Sequence, residues 1–173
     1  MNNKSNTKEM KNTENYSTAI IVNQSSEEVY DAVNNVRRWW SEEIEGPTDQ
    51  LNKEWFYHYK DIHLCKMKVI ELVPHQKVVW EVVDNSFNFI DDDKEWLGNH
   101  LIFEISNDGN KTKLTFTQNG LTPMDKCYNV CKDGWDNYIT NSLYKYITTG
   151  KGEPNPKEGK GYNADLASKW KLD

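Results

Sequence analysis

Residues 122–150 read TPMDKCYNVCKDGWDNYITNSLYKYITTG. Thr122 is a candidate N-cap, Pro123 suits the first helical position, and Asp125 suits the first turn. Small or apolar residues then recur in steps of three and one: Cys127, Val130, Cys131, Gly134, Trp135, Tyr138, Ile139, Ser142, Leu143, Tyr146 and Ile147. That is one stripe running the length of a long helix. Gly150 stands where a left-handed C-cap would close it. A helix with a single apolar face must lay that face on something else.

The residues upstream supply the partner. Residues 111–120 alternate Leu114, Phe116 and Gln118 against Thr115 and Thr117, and Asn107-Asp108-Gly109-Asn110 before them is a hairpin signal. Residues 96–106 put Leu101, Phe103 and Ile105 on one face. Residues 85–95 are polar around Phe87 and Phe89 and read as a loop or a short irregular edge strand. Residues 77–83 place Val78, Trp80 and Val82 together, after a turn at Pro74-His75-Gln76. Residues 62–73 alternate, but the parity switches between Val69 and Ile70, as a bulge would cause. Residues 54–60 are aromatic, as strands prefer. Residues 37–44, with Trp39 and Trp40, read as a short helix ended by Gly46-Pro47. Before it, Ser25 and Glu28 form a capping box ahead of Val29, Ala32, Val33 and Val36. Residues 16–22 are the first strand. The fold class is therefore α+β. A curved antiparallel sheet wraps a long C-terminal helix, with two short helices after the first strand.

The chain has 173 residues, with 21 Lys and Arg against 27 Asp and Glu, a net charge of −6. Such a length forms one domain and buries about two-thirds of its unfolded surface without disulfides or metals. The acidic balance argues against nucleic acid as a partner. Apolar runs fall well short of the ~20 residues of a membrane helix, so no membrane partner is expected. The first fifteen residues lack an apolar core and do not read as a signal peptide, so the expected location is cytoplasmic. Three Cys in such a context read as reduced thiols. Residues 1–15 read as a disordered leader, 16–150 as the folded unit, and 151–173 as a tail rich in Gly and Pro. A short helix at residues 163–172 could dock through Leu166 and Trp170.

Four stretches resemble a known family: VRRWWSEEIEG (36–46), VIELVPHQKVVW (69–80), TKLTFTQNG (112–120) and GWDNYITNSLYKYITTG (134–150). They are similar to the START-like helix-grip (SRPBCC) superfamily, which includes the birch-pollen allergen. Within it they resemble the branch named after the C-terminal domain of the activator of heat-shock protein ATPase. The resemblance implies a mostly apolar cavity between sheet and long helix. Some members bind lipids, hormones or polyketides, a few are cyclases or hydrolases, and the namesake binds the chaperone.

The candidate sites follow from parity. Trp80, Phe103, Phe116 and Gln118 should face the helix, and Cys131, Trp135 and Tyr138 should face back, lining the cavity. Gln118 needs a polar partner there. Large aromatics between sheet and helix could equally fill the space as core. Gly134 either lets the helix approach the sheet or keeps the cavity open. Trp39, Trp40 and Tyr57 are candidates for the cavity mouth. Neighbours on a helix diverge by ~100°, so one of the two Trp should pack inward and the other should reach the surface. A zinc site of His58, His63 and Cys65 is conceivable on adjoining strands, but no fourth ligand is evident. Cys127 and Cys131 share a helix face in a spacing that suits a disulfide poorly. No metal or cofactor is therefore assigned, and no catalytic residue. Asp91-Asp92-Asp93 lacks the Gly and closing Glu of a calcium loop. The leading expectation is non-catalytic binding of a small apolar or amphipathic molecule. The alternatives are a protein-interaction or stress-response domain, and an enzyme working in the same cavity through His58, Glu71 or Tyr138.

Overall fold

The strand–helix–strand order expected above is carried by a computed structural model that describes residues 14–157 and 160–172. The expected leader falls almost wholly outside the described residues. Strand β1 (Tyr16–Val22) leads into helix α1 (Ser26–Asn34) and a single 3-10 turn (Val36–Arg38). Strands β2 (Ile44–Glu45), β3 (Glu54–Tyr59), β4 (His63–Val73), β5 (Lys77–Phe87), β6 (His100–Asp108) and β7 (Lys111–Asn119) follow. All pair antiparallel in one curved sheet of order β1-β7-β6-β5-β4-β3-β2. The long helix, α2, has three consecutive segments, Tyr128–Trp135, Asp136–Leu143 and Tyr144–Thr149, the middle one with π-type winding. A final helix, α3 (Tyr162–Trp170), ends the described chain.

Local chemistry explains most boundaries. The Ser25 hydroxyl accepts from the Glu28 N–H at 3.1 Å, and the Glu28 carboxylate accepts from the Ser25 N–H at 2.8 Å, a complete capping box. The β4–β5 register shifts between Val69 and Glu71, where the parity switch lies, and again between Lys66 and Met67. Gly150 adopts φ 83°, the left-handed cap that ends α2. On β7, Thr112, Leu114, Phe116 and Gln118 are buried and their neighbours are not. Phe116 and Gln118 meet Trp135 of α2 there.

Three expectations need correction. The second short helix is present only as the 3-10 turn Val36–Arg38 and does not run on to residue 44. The tail takes the backbone beyond it instead: Asn155 donates its N–H to the Trp40 carbonyl at 2.9 Å, and Glu42 donates to the Asn155 carbonyl at 2.9 Å. Freed from helical geometry, Trp39 and Trp40 both turn inward, at 0% and 2% exposure, with centroids 6.4 Å apart. The long helix starts at Tyr128, not at Pro123. Residues 122–127 are turns, and the Glu95 carboxylate accepts the N–H groups of Lys126 and Cys127 at 2.6 and 2.8 Å. A side chain from the β5–β6 loop thus meets the unpaired amides at the helix start. Finally, β5 runs on to Phe87, so the first three residues of the stretch 85–95, expected as a loop or a short irregular edge strand, continue the preceding strand.

Candidate functional site: a cavity beneath the C-terminal helix

Strand alternation sends Trp55, Trp80 and Phe103 to the inner face of the sheet. There they meet Trp39 and, through Phe116, Trp135 of α2. Centroid separations are 5.0 Å for Trp55–Trp80, 4.8 Å for Trp80–Phe103, 4.9 Å for Phe103–Phe116 and 4.6 Å for Phe116–Trp135. Aromatic contacts of this kind fill the middle of the grip. Gln118, wholly buried, accepts the Trp135 Nε1–H at 2.7 Å and so ties α2 to β7. Trp80, Phe103, Phe116 and Gln118 are wholly buried and do not border the apolar cavity beneath α2.

An apolar cavity lies at the β3–β5 end of the sheet. Its volume is about 70 Å³, against the several hundred usual for a ligand pocket. Tyr57 and Tyr59 come from β3, His63 from β4, Phe87 from β5, and Phe89 and Trp96 from the following loop. Trp40 closes one side, and α2 contributes Val130, Cys131, Gly134, Trp135 and Tyr138. Asn163, Leu166, Ala167 and Leu172 of the tail form the remaining wall. Of the residues expected here, Trp40, Tyr57, Cys131, Trp135 and Tyr138 lie on the cavity, and Trp39 lies behind it. Tyr59 shares the parity of Tyr57 and was legible in principle. His63 pairs with Tyr59 across β3 and β4, which only the register reveals. A Cβ added to Gly134 would meet Tyr138 and Leu166 at no less than 3.6 Å, so this glycine leaves space instead of permitting a close backbone approach.

Polar groups in the cavity are few and mostly paired. Asn163 donates its amide N–H to the Tyr57 hydroxyl at 2.8 Å and accepts the Tyr138 O–H. Asn155 donates to the Tyr138 hydroxyl and to the Trp40 carbonyl, both at 3.0 Å. Its own Oδ1 accepts the Asn163 backbone N–H at 2.7 Å. The buried Tyr59 hydroxyl has no partner among the described residues. His63 Nε2 lies 2.8 Å from Asn85 Oδ1. Burial pushes the His63 imidazole down to about 4 against the opposing pull of that hydrogen bond, so it is neutral at physiological pH. Burial also raises the hydroxyls of Tyr57 and Tyr138 above the ordinary phenol value, and both stay protonated.

The other candidates are dispersed. Register puts His63 and Cys65 on the inner face and His58 on the outer one, where it pairs with Glu43 at 3.0 Å. Glu71 is also outside, 3.5 Å from Lys77. Cys131 donates its S–H to the sulfur of Cys127, and both thiols are free. No group of three or more His, Cys, Asp or Glu able to hold a metal occurs among the described residues. Among those residues no helix is long and apolar enough to cross a membrane.

The profile of the Activator of Hsp90 ATPase homolog 1-like proteins matches residues 23–148. The chain belongs to that family. The family match ends within α2 and leaves the tail outside it. Among solved structures, the Aha1 dimer from Colwellia psychrerythraea is 22% identical, with 80% of this chain and 99% of that chain covered at a TM-score of 0.64. A protein from Staphylococcus saprophyticus is 16% identical over 80% of this chain and 95% of its own, with a TM-score of 0.60. A conserved protein of unknown function from Enterococcus faecalis is 13% identical over 92% of this chain and 86% of its own, with a TM-score of 0.56. Likeness at this level shows the helix-grip fold alone. No curated protein matches the sequence significantly.

Proposed function

We propose that this family member binds a small apolar or amphipathic molecule between its sheet and its long helix. The observation that carries the reading is the cavity wall: aromatic on most sides, with the unpartnered Tyr59 hydroxyl, the Tyr57 and Tyr138 phenols, His63 and Asn163 among its polar residues. Apolar pockets with a few converging polar groups are the usual form of a ligand site. The wall offers no nucleophile paired with a base, because His63 is held by Asn85. Binding without chemistry is the simplest role for such a wall.

Native mass spectrometry of the purified chain tests this, followed by denaturing analysis of any released compound. A reproducible added mass that is not a metal is the expected result. A bare chain that also fails to enhance N-phenyl-1-naphthylamine fluorescence would overturn the proposal. A second reading, docking of a protein partner, draws on the filled core and on exposed Leu97 and Met124, at 51% and 69% exposure. They sit on the two loops that Glu95 joins.

A further inference from the structure

The tail is attached to the body in two different ways, and its second part walls the cavity. Its first part is stitched to the body through backbone. Asn155 bridges to Ser41 in parallel, and Glu153 donates its N–H to Ser142 Oγ at 2.8 Å. Gly152 lies so close to the Arg38 carbonyl that a Cβ there would stand 2.4 Å from it. Its second part, α3, is attached by side chains. Tyr162 donates its hydroxyl to the Asp133 carbonyl at 2.9 Å, and Lys169 and Trp170 reach the Asp133 carboxylate at 2.8 and 3.0 Å from exposed positions. Exposed pairs of this kind hold weakly. The strong attachment is Asn163, whose one carboxamide gives a proton to Tyr57 and takes one from Tyr138.

This matters because Tyr57 and Tyr138 lie deep, at 3% and 5% exposure. If α3 leaves, Tyr57 loses a donor and Tyr138 loses an acceptor, while Asn155 still donates to Tyr138. A ligand that covers these phenols again without offering a donor and an acceptor leaves them buried and unpaired, which is costly, so a well-matched replacement for α3 offers the same pair. Nearby, the Tyr59 hydroxyl still awaits an acceptor. The surface beneath Leu166 and Ala167 is otherwise apolar, and the present cavity is too small for a ligand of ordinary size unless the helix moves.

We infer that the cavity's ligand is an apolar chain bearing a carboxamide, which displaces α3 and takes over the Tyr57 and Tyr138 hydroxyls from Asn163. The inference rests on the binding function proposed above. It assigns the tail the role of a built-in competitor, with Asn163 as its mimic of the ligand's head group.

The test uses the full chain, with octanamide as probe and octan-1-ol as the control of equal chain length. Binding is read by displacement of N-phenyl-1-naphthylamine, and the state of α3 by amide hydrogen exchange over Tyr162–Trp170. Octanamide should bind about tenfold more tightly than octan-1-ol, the value of roughly one to two hydrogen bonds, and should remove exchange protection from α3. Asn163→Leu should tighten octanamide by about tenfold, by weakening the competitor. Leu166→Ala loosens α3 while leaving the Asn163 carboxamide in place and should act in the same direction, which guards against misfolding of the first variant. Octanamide bound with α3 still protected overturns this inference and leaves the binding function standing. Equal affinity for the alcohol and the amide overturns the carboxamide assignment. Failure of both probes and of the fluorophore to bind the chain or either variant overturns the binding function itself.

Discussion

Replacement of Gly134 by alanine isolates what the cavity costs. Gly134 lies in the first segment of α2, facing the cavity. A methyl group there would stand 3.6 Å from Tyr138 Cε2 and 4.0 Å from Leu166 Cδ2, ordinary contact distances on both sides. It enters without displacing anything. In a helix, alanine is favoured over glycine by about 1 kcal/mol, partly because the unfolded chain has less freedom to lose. Gly134→Ala should therefore stabilise the fold by about 0.5–1 kcal/mol, which for a chain of this size raises Tm by about 1–4 °C. Urea titration should show a higher midpoint with an unchanged slope. The same methyl takes up part of a small cavity, so N-phenyl-1-naphthylamine should bind more weakly. A destabilised variant would mean that α2 needs glycine for a close approach absent from this structure, and the reasoning would fail. A stabilised variant with unchanged probe binding would place the probe elsewhere.

His63 sets a pH dependence. Its folded value of about 4 lies below the unfolded value of 6.5, so the unfolded chain takes up a proton that the folded chain refuses. Its contribution is intact above pH 6.5 and is lost as pH falls toward 4, by up to about 3 kcal/mol; His63→Gln should flatten that part of a stability-against-pH curve, and a variant curve parallel to the parent would exclude the assignment. Gln118→Leu should cost about 1–2 kcal/mol in urea unfolding because the buried Trp135 Nε1–H loses its acceptor, and a neutral substitution would show that the bond contributes nothing net. Glu95→Ala should cost about 1–2 kcal/mol by uncapping two amides at the start of α2, with exchange protection falling first around Tyr128; uniform loss across the chain would contradict a local role.

Periodicity made the sheet and the long helix legible, because each strand from β3 to β7 and the stripe of α2 alternates between core and solvent. The capping box, the bulge at Ile70 and the cap at Gly150 were legible for the same reason: each is a local rule. What failed was non-local. No pattern within residues 37–44 announces that Asn155 will claim their backbone, so a helix was expected and the two Trp were set on diverging faces. Nothing near Pro123 announces that Glu95 will cap the helix five residues later. The π-type winding at Asp136–Leu143 left the apolar stripe intact and so left no signal. Parity identified inward residues correctly, but it cannot say which of them touch one another and which border a void. That depends on how ring volumes add up across the layer, and the same limit hid His63 and the wall supplied by α3.

The first strand pairs with the last. Ser17 hydrogen-bonds to Phe116, 99 residues further along the chain, and β1 has no other strand beside it. Every other neighbour in the sheet is the next strand in order. During synthesis at ~5–20 residues per second, β1 therefore waits roughly 5–20 s before its partner exists. Through that interval the ribosome holds out an unpaired strand carrying Ala19, Ile20, Ile21 and Val22, the kind of segment that joins strands on other chains. Closure of the sheet is thus a late and slow event with a long contact separation, and the interval before it is the period in which the nascent chain depends most on being shielded.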